Sequence, residues 1–137
     1  MGMDPSRLKA IPLFADLSDD EARRLAAFAT ETSVAEGQIL MKEGDYSTEL
    51  IGIEDGAARV EKGGREIATL GKGDLIGEMG LLSHEPRSAT VVAASPMFVF
   101  KLTHWEVRRM SEETVRRIEE IVAQRAKAGV ADPAHKD

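Results

Sequence analysis

The chain has 137 residues, a formal charge of −6 at neutral pH and no cysteine. That length suits one domain burying roughly two-thirds of its unfolded surface, enough for a core without cross-links, and the missing thiols exclude disulfides, thiolate metal sites and any argument for secretion. The negative charge argues against a general nucleic-acid surface, and no apolar run nears the roughly 18 residues of a membrane helix or forms a signal-peptide core, so the expectation is a soluble cytoplasmic protein with no nucleic-acid and no membrane partner.

The first residues, Met1-Gly2-Met3-Asp4-Pro5-Ser6, fit a loose acylation pattern that short sequences match often by chance. Residues 1–7 are expected to form a disordered or expression-derived tail, ahead of a domain over 8–127 and a polar C-terminal tail over 128–137. Leu8, Ile11, Leu13 and Phe14 surround Pro12 and predict a short turn or helix packed back on the core. Ser18 with Glu21 three residues later spells a capping box, and Asp19 and Asp20 suit the positive end of a helix. Ala22, Leu25, Ala26 and Ala29 then recur at helical spacing.

From Thr32 to Thr103 the period shortens. The runs Ile39 to Met41, Leu50 to Ile53, Ala57 to Val60, Glu66 to Leu70, Ser88 to Ala94 and Met97 to Leu102 are separated by glycine-containing turns. Gly63-Gly64 predicts a two-residue hairpin, because both positions tolerate positive φ. Short strands at this spacing predict an antiparallel sandwich or barrel. After Thr103, Val107, Met110, Thr114, Val115, Ile118, Ile121 and Val122 return to helical steps, and Gly129 and Pro133 end the pattern.

The stretch Gly77 to Ala93, GEMGLLSHEPRSATVVA, is the one that carries chemistry. A short helix from Gly77 to Leu82 would present free backbone N–H groups to an anion. Gly77 and Gly80 would let a ligand approach the backbone. Arg87 offers a permanent charge and a planar fork of donors that matches phosphate oxygens. Glu78 would repel a phosphate, but it can accept a hydrogen bond from a sugar hydroxyl beside one. A ribose phosphate meets both demands. The alternative is a Glu78–Arg87 salt bridge closing an Ω-like loop.

The same stretch resembles the phosphate-binding cassette of the cyclic nucleotide-binding domain family, which has the approximate pattern Gly-Glu-x-x-Leu, a loop, then Arg-small-Ala-Thr. Gly77, Glu78, Leu81, Arg87, Ser88, Ala89 and Thr90 meet it. LKAIPLFADLSDDEARRLA, EGQILMKEGD and ATLGKGDLIGE are similar to the family's N-terminal helices, its second and third strands and its run into the cassette. The resemblance implies a mainly β fold, an antiparallel β-barrel of the jelly-roll (double-stranded β-helix) kind with flanking N- and C-terminal helices. It implies Glu78 on a ribose 2′-hydroxyl, Arg87 on the cyclic phosphate, and a cradle built from Gly77, Met79, Gly80, Leu81, Ser88 and Ala89. It implies cAMP as ligand ahead of cGMP, with Ser88 at the position that influences the choice, and no metal. It implies a regulatory and not an enzymatic role, with the last helix capping the base and passing the signal on.

Ile118, Ile121, Val122 and Arg125 are the candidates for that cap, or for a homodimer or effector contact. Departures from the family pattern are Gly52, where a bulky strand residue is usual, the small pair Ala57-Ala58, and Leu75-Ile76 in place of an aromatic. Gly52 and the Ala57-Ala58 pair support the rival expectation, a nucleotide-free interaction or dimerisation module of the same fold, whereas Leu75-Ile76 costs little by volume. No helix-turn-helix follows the last helix, which argues against a complete transcription factor. His84, His104 and His135 share no ligand spacing. Trp105 is expected to pack the C-terminal helices onto the barrel. Arg108, Arg109, Arg116, Arg117 and Arg125, interleaved with Glu112, Glu113, Glu119 and Glu120, are read as i,i+4 pairs.

Overall fold

The fold follows from how each strand divides its side chains between two apolar layers. A computed structural model of the chain describes residues 2–46, 48–78, 86–87 and 89–127. Helices α1 (Pro5–Leu8) and α2 (Asp19–Ala26) flank a short 3-10 turn at Pro12–Phe14. The strands are β1 (Thr30–Val34), β2 (Ile39–Met41), β3 (Glu49–Asp55), β4 (Ala58–Lys62), β5 (Arg65–Leu70), β6 (Leu75–Ile76), β7 (Thr90–Ala93) and β8 (Met97–Thr103). Helices α3 (His104–Arg108) and α4 (Glu112–Lys127) follow. All pairings are antiparallel, in two four-stranded sheets ordered β1-β8-β3-β6 and β2-β7-β4-β5. The mainly β antiparallel architecture with flanking helices is as expected; the sheets face one another without closing into a continuous barrel.

The first sheet is the middle layer. Alternate side chains of β3 and β8 point to opposite faces. Leu50, Phe100 and Leu102 join the helices in one buried cluster, while Ile51, Ile53, Met97 and Val99 face the second sheet in another. Both faces of β3 are therefore apolar, which is why its central residues read as a continuous hydrophobic run. The Gly63-Gly64 hairpin joins β4 to β5 with φ of 59° and 81°, the doubly positive turn that suits a two-residue connection.

Gly52 and Phe100 are register partners on the helix-facing side. The Phe100 ring lies over Gly52 so closely that a Cβ there would overlap its Cε2 and Cζ atoms. The missing side chain at 52 thus makes room for a fully buried aromatic from the neighbouring strand. With that, Gly52 ceases to support a degenerate site.

The N-terminal segment is part of the packed unit from Met3 onward. Met3 is buried and its N–H donates to the Ala26 carbonyl at 3.0 Å. Asp4 caps α1, and Arg7 lays a bidentate pair of hydrogen bonds, 2.8 Å each, on Glu54 at the end of β3, with Glu31 also in ion-pair contact. Helix α1 therefore begins ahead of the expected domain start at Leu8.

The predicted capping box is present. Glu21 N–H donates to Ser18 Oγ at 3.1 Å, and Ser18 N–H donates to Glu21 Oε1 at 2.9 Å. The same carboxylate receives the Thr114 hydroxyl and the Arg117 guanidinium, the latter at 3.0 Å to each oxygen, and so pins α4 against α2. Arg108 likewise meets Glu119 of α4, at 3.6 Å. The ion pairs of Arg108 and Arg117 therefore run between helices, not along one as the i,i+4 reading expected. Ile118 and Val122 are buried in the cluster with Leu13, Leu17 and Leu25. In this arrangement both side chains are engaged in packing within the molecule.

The Ser18 backbone N–H, and after it Arg117, hold the Glu21 carboxyl below its ordinary value of 4.5. A depressed folded-state pKa contributes stability that is complete above the unfolded value and is lost as pH falls through the folded one. Replacing Glu21 with Gln is expected to cost about 1–2 kcal/mol at pH 7, a fall of about 4–8 °C in thermal midpoint. The gap between the two chains should close as pH falls below 4.5 and on through the carboxyl's lowered value, which scanning calorimetry over a descending pH series would check.

Candidate functional site

Strand β6 delivers the site's first half. Its residues pair as Leu75 with Gly52 and Ile76 with Ile51, so β3 carries it. The chain then turns at Gly77, whose φ of +91° is one that a residue with a side chain rarely adopts. A Cβ at Gly77 would overlap the Glu49 carbonyl oxygen and would stand 3.4 Å from Met41 Cε and 3.6 Å from Arg87 Nη2. The position must be glycine for both reasons. The Arg87 guanidinium thus lies against the backbone that leads into Glu78.

Arg87 is held from the other side. Its N–H donates to the Asp45 carbonyl at 2.9 Å, and its own carbonyl accepts from Gly44 N–H at 2.8 Å. The turn between β2 and β3 therefore fixes the Arg87 backbone independently of its side chain. A further bond from Glu43 N–H to Thr90 Oγ1, 3.0 Å, ties the same turn to the start of β7. Ala89 is fully buried between the sheets, where its small side chain lets the chain pass close behind the site.

Burial is what sets these two charges apart. Glu78 is 1% exposed and Arg87 2% exposed. Ionised groups are withdrawn from water this fully only when paired or placed for a charged or hydrogen-bonding ligand. Of the predicted site residues, Gly77, Glu78, Arg87 and Ala89 come together at this end of the sandwich. Met79, Gly80, Leu81 and Ser88, the Gly77-to-Leu82 helix past residue 78, and His84 lie outside the described residues, as do residues 128–137 with His135. Among the described residues, no group of three or more His, Cys, Asp or Glu side chains could hold a metal ion. Nor, among them, is any helix long and apolar enough to cross a membrane.

One residue beside the site was missed from sequence. His104, the first residue of α3, is 3% exposed, and its Nε2 lies 3.2 Å from the Gly77 carbonyl oxygen. A signal for it was present. Thr103 and Glu106 form a capping box that fixes where α3 begins, which puts His104 and Val107 together on the inward face. The same geometry turns Trp105 outward. It is 68% exposed and does not pack the helices onto the sheet, contrary to expectation.

Comparison with known proteins agrees with this architecture. A regulatory subunit of cAMP-dependent protein kinase from Yarrowia lipolytica is 37% identical over 97 residues, 69% of this chain and 26% of the relative. A cGMP-dependent protein kinase from Toxoplasma gondii is 38% identical over 86 residues, 63% of this chain and 9% of the relative. This chain thus spans about a quarter or less of these curated relatives. Among solved structures, a cyclic nucleotide-binding domain from Methylobacillus flagellatus shares the fold with a TM-score of 0.78 at 24% identity, covering 93% of this chain and 80% of that one. The family model described as cyclic nucleotide-binding domain matches residues 31–114. That span runs from β1 through both sheets and the buried Glu78 and Arg87 to the first turn of α4, and the chain belongs to the cyclic nucleotide-binding domain family.

Proposed function

We propose that this domain binds cAMP as a regulatory ligand and performs no chemistry on it. Arg87 pairs with the cyclic phosphate, and Glu78 accepts a hydrogen bond from the ribose 2′-hydroxyl. The observation that carries this reading is the burial of a guanidinium and a carboxylate at the two ends of one chain segment, with Arg87 Nη2 packed on the backbone that introduces Glu78. A cation alone would suit any anion. The adjacent carboxylate restricts the choice to an anion that carries a hydroxyl donor at a fixed separation, as a ribose phosphate does. Gly77, Ala89 and the backbone of residues 79–81 and 88 complete the cradle in this proposal.

Binding is transmitted through α3 and α4. The packed unit that begins at Met3 and includes α4 is the binding unit, and the relatives that are kinase regulatory subunits support an effector protein as the recipient of the signal. A second state of α4 needs only a differential affinity of a few kcal/mol for the nucleotide to select it.

Isothermal calorimetry with cAMP and then cGMP tests the reading. Dissociation constants of about 1 μM or below correspond to about −8 kcal/mol, and cAMP is expected to bind more tightly. Tighter binding of cGMP would reassign the ligand. Heats from neither nucleotide, in folded and nucleotide-free protein, would favour the docking-module reading. Glu78→Gln keeps the shape of the side chain but weakens its acceptor. It is expected to lower cAMP affinity about tenfold, the value of one hydrogen bond to a charged group. It should discriminate far less against 2′-deoxy-cAMP, which lacks the hydroxyl.

A further inference from the structure

His104 stands where the candidate site meets the C-terminal helices, and no role has been given to it. It is the first residue of α3, directly after β8, and its backbone N–H donates to the Thr48 carbonyl at 2.7 Å. Its ring reaches across to the Gly77 carbonyl, 3.2 Å from Nε2. A carbonyl oxygen only accepts, so Nε2 carries the proton in this contact. The Gly77 carbonyl belongs to the peptide that joins Gly77 to Glu78. Its orientation therefore sets the direction in which the Glu78 backbone leaves the turn.

That peptide needs an external hold. Glycine at a φ of +91° has no side chain to restrict its ψ, so the direction of its carbonyl is set by what the peptide bonds to. The imidazole faces the carbonyl. A ring buried to 3% exposure cannot swing aside without disturbing the packing around it.

We propose that His104 is a positioning residue of the nucleotide site: its Nε2–H holds the Gly77–Glu78 peptide in the binding orientation and ties it to the first turn of α3. This role rests on the nucleotide reading above. It makes the start of α3 sensitive to the ligand without any ligand contact of its own. Trp105, next in sequence and exposed, reports the state of that turn.

The test compares the unaltered chain with His104→Leu, which removes the donor at similar size, and His104→Gln, whose amide nitrogen can reach the position of Nε2. Calorimetry is expected to show cAMP binding weakened about tenfold by His104→Leu and by no more than about threefold by His104→Gln. Saturating cAMP is expected to change Trp105 emission in the unaltered and His104→Gln chains, and to change it by less than half as much in His104→Leu. A folded His104→Leu chain with unaltered affinity overturns the role, as do equal losses in the two variants, which would make the residue a matter of shape. If neither nucleotide binds the unaltered chain, the nucleotide reading falls and this role with it; binding that His104→Leu leaves intact removes this role alone. Should His104→Leu fail to fold, nitrogen-correlated NMR of the unaltered chain decides. The proton is expected on Nε2 with a resonance that moves on cAMP saturation, and an Nδ1–H tautomer or an unmoved resonance overturns the proposal.

Discussion

Arg87→Ala is expected to lower cAMP affinity at least about 100-fold, because a phosphate would lose a charged, two-pronged donor whose hydrogen bonds are each worth about 1.5–3 kcal/mol. The expectation depends on the variant being folded, and the structure gives reason for that. The Arg87 backbone is bonded in both directions to Gly44 and Asp45, so its path does not rely on the side chain. Arg87→Lys should recover only part of the loss, since a point charge replaces the planar fork. Calorimetry gives the affinities, and the thermal midpoint gives an independent check. Saturation at 100 times the dissociation constant stabilises a binding-competent fold by about 2.7 kcal/mol, so cAMP should raise the midpoint of the unaltered chain and leave that of Arg87→Ala almost unmoved. Affinity within about threefold of the unaltered chain would place the phosphate elsewhere and leave Arg87 as a structural cation.

How much of this was readable from sequence depends on how local each determinant is. The Ser18–Glu21 capping box and the Gly63-Gly64 hairpin are written within four residues, and both were legible. Strand β1, Thr-Glu-Thr-Ser-Val, was not among the expected strands. It lies at a sheet edge with one partner, and only Val34 of its residues is buried, so its pattern lacks an apolar period. Strand β6 has only two residues and exists because β3 provides a template. Neither leaves a signal in its own composition.

The site divides in the same way. Glu78 and Arg87 were found through a pattern spanning a few residues each. The contacts that bring them together join residues 41, 45, 49 and 104 to the turn at Gly77 and to Arg87, and no local period reports such contacts. Trp105 shows the cost of reasoning from residue type alone. Hydrophobic size suggested packing, yet the Thr103–Glu106 cap sets the helix phase, and the phase turns His104 inward and Trp105 out to water.

The Gly52–Phe100 pair tests one departure from the family pattern. Phe100→Ala is expected to cost about 3–5 kcal/mol, the usual range for emptying an aromatic site in a core. Gly52→Val is expected to cost about 3 kcal/mol, at the upper end for overpacking, because the new side chain must enter space held by a ring with no exposure. The double variant should be less destabilised than the sum by about 2 kcal/mol, since valine would fill part of the emptied volume. Urea unfolding of the four chains closes this cycle, and additivity within about 0.5 kcal/mol would mean that the two positions do not compete for one space. Affinity adds the functional half of the argument. Gly52 shares its face with Leu50, Leu75 and Leu102, which pack on the helices, whereas the inter-sheet face carries Ile51, Ile76 and the buried Ala89 beside Arg87. Gly52→Val, measured where it remains folded, should therefore bind cAMP within about threefold of the unaltered chain. A loss of binding without a loss of stability would instead make Gly52 a wall of the ligand site, and the close approach of Phe100 would then be incidental to it.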